Sequence, residues 1–194
     1  MPGTLTISSI FDTRHRMVVS ALYELPLGKG HTFASGRAAS YVLGGWQLGG
    51  ILQASSGFPL SILTGSDRSV TGHGYDRPNA VAGQKIDLDP SDRSTARWFN
   101  TAAIALNPIG TYGNLGRNVV TSPGVFSVDF STLKKFPITE TTYLQFRFEA
   151  FNFLNHPNFG DPNTTATSNA FGQITSTRPG INMRELQFSL KLIF

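Results

Sequence analysis

Arg184-Glu185-Leu186-Gln187-Phe188-Ser189-Leu190-Lys191-Leu192-Ile193-Phe194 is the stretch that decides the fold. Leu186, Phe188, Leu190, Leu192 and Phe194 share one parity; Glu185, Gln187, Ser189 and Lys191 share the other, with Ile193 as its only apolar member. Successive side chains of a strand point to opposite faces, so the segment predicts a strand with one apolar and one mostly polar face. A helix, at about 3.6 residues per turn, would scatter the same apolar side chains around its circumference. The length matches the ~9–11 tilted residues with which a strand crosses a bilayer. An aromatic residue closes the chain, where soluble domains more often fray into polar residues. The edge strand of a soluble sandwich is the other reading of this segment.

Composition points the same way. Charged residues are 14 % of the 194, against the ~25 % usual in soluble domains. Phe supplies 15 residues and Gly 20, a mix that suits β structure whose outer surface is not all in water. The net charge of +4 is spread along the chain, without the basic cluster that nucleic-acid binding needs. The absence of Cys excludes disulfides and thiolate metal sites. His15, His31, His73 and His156 stand far apart and form no ligand-spaced pair. No apolar run approaches the ~18 residues of a membrane helix. Met1-Pro2-Gly3-Thr4-Leu5 has neither the basic nor the apolar region of a signal peptide, which leads to the expectation of a fragment.

Working back from the end, residues 142–154 read TYLQFRFEAFNFL, with Leu144, Phe146, Phe148 and Ala150 opposite Tyr143, Gln145, Arg147, Glu149 and Phe151. Residues 125–136 alternate Phe126, Val128 and Phe130 with Ser127, Asp129 and Ser131, and the turn Pro137–Thr141 joins the two segments into a hairpin. Residues 44–62 alternate Trp46, Leu48, Leu52 and Ala54 with Gln47, Gly49, Gln53 and Ser55, and Phe58, Leu60 and Ile62 continue the pattern past a bulge at Gly57-Phe58-Pro59. Trp46 suits an interfacial aromatic girdle or an ordinary core position. Residues 13–24 give a strand of moderate alternation, ended by Leu25-Pro26-Leu27-Gly28-Lys29-Gly30 and a polar connection to about Leu43. Residues 64–123 and 155–183 are long, turn-rich connections, the first with a short helix expected at Asp92–Phe99 capped by Ser91.

Counting strand directions puts both long connections on one side and the shorter links 25–43 and 137–141 on the other, the layout of an outer-membrane barrel. Arg147, Glu149, Gln145, Asp129, Ser127, Gln187 and Lys191 then point into a lumen, because a soluble core tolerates so many polar groups only when they are densely paired. Leu186, Phe188, Leu190, Leu192 and Phe194 face the membrane. Five strands are fewer than the ~8 of the smallest outer-membrane barrels, and lipid does not tolerate open sheet edges. The expected fold is all-β: an antiparallel up-and-down transmembrane β-barrel, partial, with two long extracellular loops. Its strands lie near 13–24, 44–62, 125–136, 142–154 and 184–194 of a single unit, 1–194.

The motifs also resemble a known family. Phe11-Asp12-Thr13-Arg14-His15-Arg16, Glu24-Leu25-Pro26-Leu27-Gly28-Lys29-Gly30, Gly45-Trp46-Gln47-Leu48, Asp76-Arg77-Pro78-Asn79 and Trp98-Phe99-Asn100 occur in this order. Gly113-Asn114-Leu115-Gly116-Arg117-Asn118, Phe146-Arg147-Phe148-Glu149-Ala150-Phe151-Asn152 and Asn155-His156-Pro157-Asn158-Phe159-Gly160 follow. The ordered set resembles the C-terminal end of Oar-like TonB-dependent outer-membrane receptors, of the type with a carboxypeptidase-regulatory-like domain. The resemblance implies a barrel of about 22 strands with a plugged lumen, energised through TonB, for import, export or surface attachment. It further implies a Gram-negative outer membrane. Its implied partners are outer-membrane lipid, the barrel assembly machinery acting on the C-terminal strand, the remaining barrel and plug, and TonB through an N-terminal part that this chain lacks.

Candidate sites are few. His73, Tyr75, Asp76 and Arg77 share one long connection and are candidate ligand contacts, although Asp76 and Arg77 also suit a salt bridge within the loop. Asp87, Asp89 and Asp92 offer oxygen ligands of the kind Ca²⁺ takes, but without the EF-hand Gly and distal Glu, and with Pro90 between them; solvated loop charge is the alternative. Arg147 and Glu149 are expected to pair with each other or with Asp129. No nucleophile elbow and no phosphate-cradling Gly frame is present, so the sequence predicts neither an enzyme nor a cofactor. A soluble extracellular β-sandwich binding module is the second reading, and a hydrolase of unspecified type the third.

Overall fold

The computed structural model describes Ser9 and residues 11–27 and 36–194. The opening segment Met1–Leu5, the triplet Gly28-Lys29-Gly30 and His31 lie outside the described residues. In chain order the strands are β1 (Arg16–Glu24), β2 (Trp46–Ser55), β3 (Pro59–Leu60), β4 (Asn79–Ala80), β5 (Ile104–Ala105), β6 (Val120–Thr121), β7 (Val125–Pro137), β8 (Tyr143–Phe151) and β9 (Glu185–Ile193). A helix, α1 (Arg37–Leu43), lies between β1 and β2.

β1, β2, β7, β8 and β9 hydrogen-bond in that order into one five-stranded sheet. β7 and β8 pair antiparallel from Phe130↔Ala150 to Pro137↔Tyr143, and β8 and β9 from Tyr143↔Ile193 to Phe151↔Glu185. Leu25 N–H donates to Trp46 O at 3.0 Å, where the end of β1 meets the start of β2. Lys135 N–H reaches Gly45 O at 3.4 Å, so β2 also runs against β7. The sheet is open, with β1 and β9 at its edges. It is a partial antiparallel barrel.

The register sorts the side chains by chemistry. One face carries Phe130 and Phe136, then Leu144, Phe146 and Phe148, then Leu186, Phe188, Leu190 and Leu192. Phe148 packs on Phe188 with ring centroids 5.0 Å apart, a cross-strand aromatic pair between β8 and β9. Phe188 nevertheless stays 69 % exposed and Leu190 64 %. A sandwich buries such a face against a second sheet, and none covers it among the described residues. The sandwich reading therefore loses its core.

Three element boundaries differ from the sequence pattern. Residues 36–44 hold α1 where a polar connection was expected, and Gly45, at φ 70, turns the chain out of it into β2. β2 stops at Ser55 instead of continuing to Ile62. Beyond it the Gly57 backbone lies so close to Ser122 O that any Cβ would clash, and Pro59–Leu60 pair with Val120–Thr121. β8 stops at Phe151 because Asn152 and Asn155 take left-handed φ values of 46° and 52°. Asn tolerates that region better than most side chains, and a strand cannot pass through it.

Residues 55–125 and 158–179 form a second compact unit. Its core is Ile62, Phe99, Leu115 and Val120, with Trp98 and Phe171 packed against them. The expected helix at Asp92–Phe99 is absent; only Pro90–Asp92 make a short 3-10 turn. Arg97 N–H turns back to Ser94 O, Trp98 N–H donates to Gly172 O at 2.8 Å, and Ile174 N–H donates to Thr95 O at 2.7 Å. Ser94 and Arg97 thus bond each other, while Trp98 N–H and Thr95 O pair with Gly172 and Ile174, so these groups do not join a helical ladder. Phe99 meets Phe171 edge-on at 5.2 Å. The two long connections are parts of one packed body.

Candidate functional site

The polar face of the sheet is built by the opposite parity of the same strands. Ser131↔Glu149↔Gln187, Leu133↔Arg147↔Ser189 and Lys135↔Gln145↔Lys191 form three rows across β7, β8 and β9. Arg147 and Glu149 form an ion pair at 2.7 Å, as their two-residue spacing on one face predicts. Gln47 Nε2 donates to Glu24 Oε1 at 3.1 Å, and Gln187 Nε2 to Glu185 Oε1 at 2.9 Å. Gly49 stands beside Ser131 Oγ and Leu22, so the face narrows where a side chain would otherwise project.

At one end this face opens into a recess of about 320 Å³, bounded by Gln53, Ser127, Asp129, Asn152, Glu185 and Gln187, with Phe151 and residues 180–183 as its wall. Asp129 Oδ1 accepts from Asn152 N–H at 2.9 Å and from Ser127 Oγ at 3.4 Å. Neither Asp129 nor Glu185 has an ion-pair partner among the described residues. The carboxylates of Asp129 and Glu185 both border the recess, so it offers acceptors to hydroxyl or cationic donors.

Asn152, which sequence reasoning did not single out, holds the recess wall in place. It is 3 % exposed. Its Nδ2 donates to His156 O at 2.9 Å and to Asn182 O at 3.1 Å, and its Oδ1 accepts from His156 N–H at 3.0 Å. Asn155 Oδ1 accepts from Arg184 N–H at 3.1 Å, tying the start of the last connection to its end. Two asparagines three residues apart at a strand end were the available signal, since Asn favours left-handed turns.

In the loop unit the sequence candidates separate. His73 is exposed and Tyr75 is 80 % exposed. Asp76 is buried, and its carboxylate accepts from Ser69 N–H at 2.6 Å and Ser69 Oγ at 2.9 Å. Arg77 Nη1 donates to Leu115 O at 2.9 Å. The expected Asp76–Arg77 salt bridge is therefore absent among the described ion pairs, because each side chain is used elsewhere. Asn79 Oδ1 accepts from Asn114 N–H at 3.0 Å, and Asn114 Oδ1 accepts from Ala80 N–H at 2.8 Å. Leu115 N–H closes on Pro78 O at 3.0 Å. Asp76-Arg77-Pro78-Asn79 and Gly113-Asn114-Leu115 are two halves of one hydrogen-bonded clasp.

Asp87, Asp89 and Asp92 do not converge. Asp87 faces Arg93 at 3.9 Å, Asp89 faces Lys85 at 3.4 Å, and Asp92 is the last residue of the 3-10 turn. Among the described residues no three acidic or His side chains gather as metal ligands. Asp67 braces a neighbouring turn: chiefly the backbone N–H of Gly72 holds its carboxyl below the usual value, with Thr71 N–H and Ser69 Oγ assisting and desolvation opposing.

A family model described as an outer membrane beta barrel domain matches residues 6–187. The chain belongs to this family. No curated protein and no solved structure matches it. The open five-stranded sheet is thus part of an outer-membrane barrel, located in the outer membrane of a Gram-negative bacterium. No described helix is long and apolar enough to span a membrane, and barrels of this family cross with strands.

Proposed function

We propose that this outer-membrane barrel is the C-terminal part of an Oar-like TonB-dependent receptor that binds a ligand and moves it across the outer membrane. The observation that carries the reading is the acceptor-lined recess at the end of the polar face, framed by Asp129, Asn152 and Glu185. In this reading the polar face lines the lumen, and Leu186, Phe188, Leu190, Leu192 and Phe194 meet lipid. The ordered motifs from Phe11 to Gly160 support membership in the receptor class. The exposed His73 and Tyr75 are first-contact positions for a ligand, whereas the Asp76 carboxylate is held by Ser69 and Arg77 serves the clasp. The proposed partners are outer-membrane lipid, the assembly machinery acting on β9, the remaining barrel and plug, and TonB through that plug. The chain's own part is binding and passage, without catalysis.

The test captures the complex from native outer membranes through an epitope placed in the turn at residues 138–142. Purified periplasmic domain of TonB is then added. Retention of TonB supports a TonB-dependent receptor. An intact, captured barrel that never retains TonB overturns the energised-transport reading and leaves the barrel family standing.

A further inference from the structure

One side chain breaks the pattern of the apolar face. The register pairs Lys134 with Phe146, which puts a lysine on the parity of Phe130 and Phe136. It is also among the most buried side chains described, at 1 % exposure. Its Nζ donates to Tyr41 O at 2.9 Å and to Gly44 O, the carbonyls that end α1. The ammonium also lies over the rings of Phe136, at 5.0 Å, and Trp46, at 5.6 Å. Orphan carbonyls and the negative end of the helix dipole favour a cation there, and α1 has no basic residue of its own in its last turn.

These contacts fix where α1 lies. Tyr41 packs on Phe136 with centroids 6.0 Å apart, and Trp46 Nε1 donates to Val42 O at 3.1 Å. The helix therefore rests against the apolar face of the sheet and not over its polar face. Lys134 stands three residues before Pro137, where β7 ends at its short turn. The outward side of the helix end is apolar and uncovered: Tyr41 is 52 % exposed, Val42 61 % and Leu43 46 %. Tyr and Trp beside a lysine are the residues that settle at the boundary between headgroups and acyl chains.

We infer that α1 is a lipid-binding foot on the outside of the barrel. It seats Tyr41, Val42 and Leu43 in the phospholipid leaflet at the short-turn side, and Lys134 pins it to the sheet. The inference rests on the proposed lipid-facing role of the apolar face, because the foot continues that surface. Lipid is the occupant that both the apolar exposure and this continuity select. Lys134 is a positioning residue: its charge is spent on the helix end and does not reach the leaflet.

The chain has no Cys, so single cysteines report one position each. Val42→Cys, Phe188→Cys and Tyr75→Cys are labelled with an environment-sensitive fluorophore. The assembled barrel that contains the labelled chain is purified from outer membranes and reconstituted in vesicles of phosphatidylethanolamine and phosphatidylglycerol carrying a nitroxide near the headgroup end of the acyl chain. The expected result is strong nitroxide quenching at positions 42 and 188, with iodide quenching only position 75. Lys134→Met should then expose position 42 to iodide, and Lys134→Arg should restore its protection. Iodide access to position 42 with position 188 still in lipid overturns the foot alone. Loss of lipid quenching at both positions overturns the facing of the sheet, and the foot with it.

Discussion

Replacing Phe188 by Arg tests the facing of the sheet at its most sensitive point. Phe188 is the fourth of nine residues in β9, opposite Phe148, and its ring is largely uncovered. An arginine there meets acyl chains near mid-bilayer, at a cost of about 2–4 kcal/mol. Loss of the ring pair with Phe148 adds about 0.5–1.5 kcal/mol. The first term alone lowers the ratio of assembled to unassembled chain roughly 30- to 1,000-fold. Gln187→Arg adds the same charge one residue away, on the other face. Glu149 stands directly opposite and Glu185 already accepts from Gln187, so the new guanidinium finds carboxylates on two sides. Its effect should stay within about 0.5 kcal/mol. The assay is the fraction of chain that resists urea extraction from outer-membrane preparations. Equal losses for the two variants, or a greater loss for Gln187→Arg, would refute the assignment of faces.

Three other outcomes follow from local geometry. Asn152→Ala removes three side-chain hydrogen bonds at a buried left-handed position. It should destabilise the recess wall by about 2–4 kcal/mol, read as faster proteolysis within residues 155–184, while Asn152→Gly keeps the backbone conformation and isolates the hydrogen-bond loss. Gly113→Ala forces a methyl into Arg77 O and Pro78 O and should open the clasp, exposing Leu115 to exchange; an unchanged exchange pattern would show that the clasp does not need a bare backbone there. The turn at Asp67 should loosen in acid. A folded carboxyl held below its ordinary 3.8 contributes stability that is complete above that value and lost as pH falls through the lower folded one. Hydrogen exchange at Gly72 should accelerate over that interval, and Asp67→Asn should remove the pH dependence.

The parts legible in the sequence are those with a period. β7, β8 and β9 alternate cleanly because one face meets a different medium from the other, and the eye needs only parity to sort Phe148 from Arg147. The loop unit has no such period. Its strands are two residues long, and Phe99, Trp98 and Phe171 find one another from distant stretches. A helix at Asp92–Phe99 was a reasonable expectation from local propensity, but Gly172 and Thr95 take part in backbone pairing that no local window contains. Asp76 and Arg77 read as a pair because they are adjacent, whereas their partners, Ser69 and the Leu115 carbonyl, lie elsewhere in the chain. Lys134 was visible all along as the one charge on a greasy parity, yet its partner is a run of backbone carbonyls. Carbonyls carry no sequence signature.

The strand count of the sheet constrains how a ring can be completed from it. Each neighbour reverses direction, so β1 and β9 point the same way. Copies of this chain joined edge to edge would meet along parallel seams, foreign to an up-and-down barrel. Antiparallel closure requires an odd number of additional strands, whatever polypeptide supplies them.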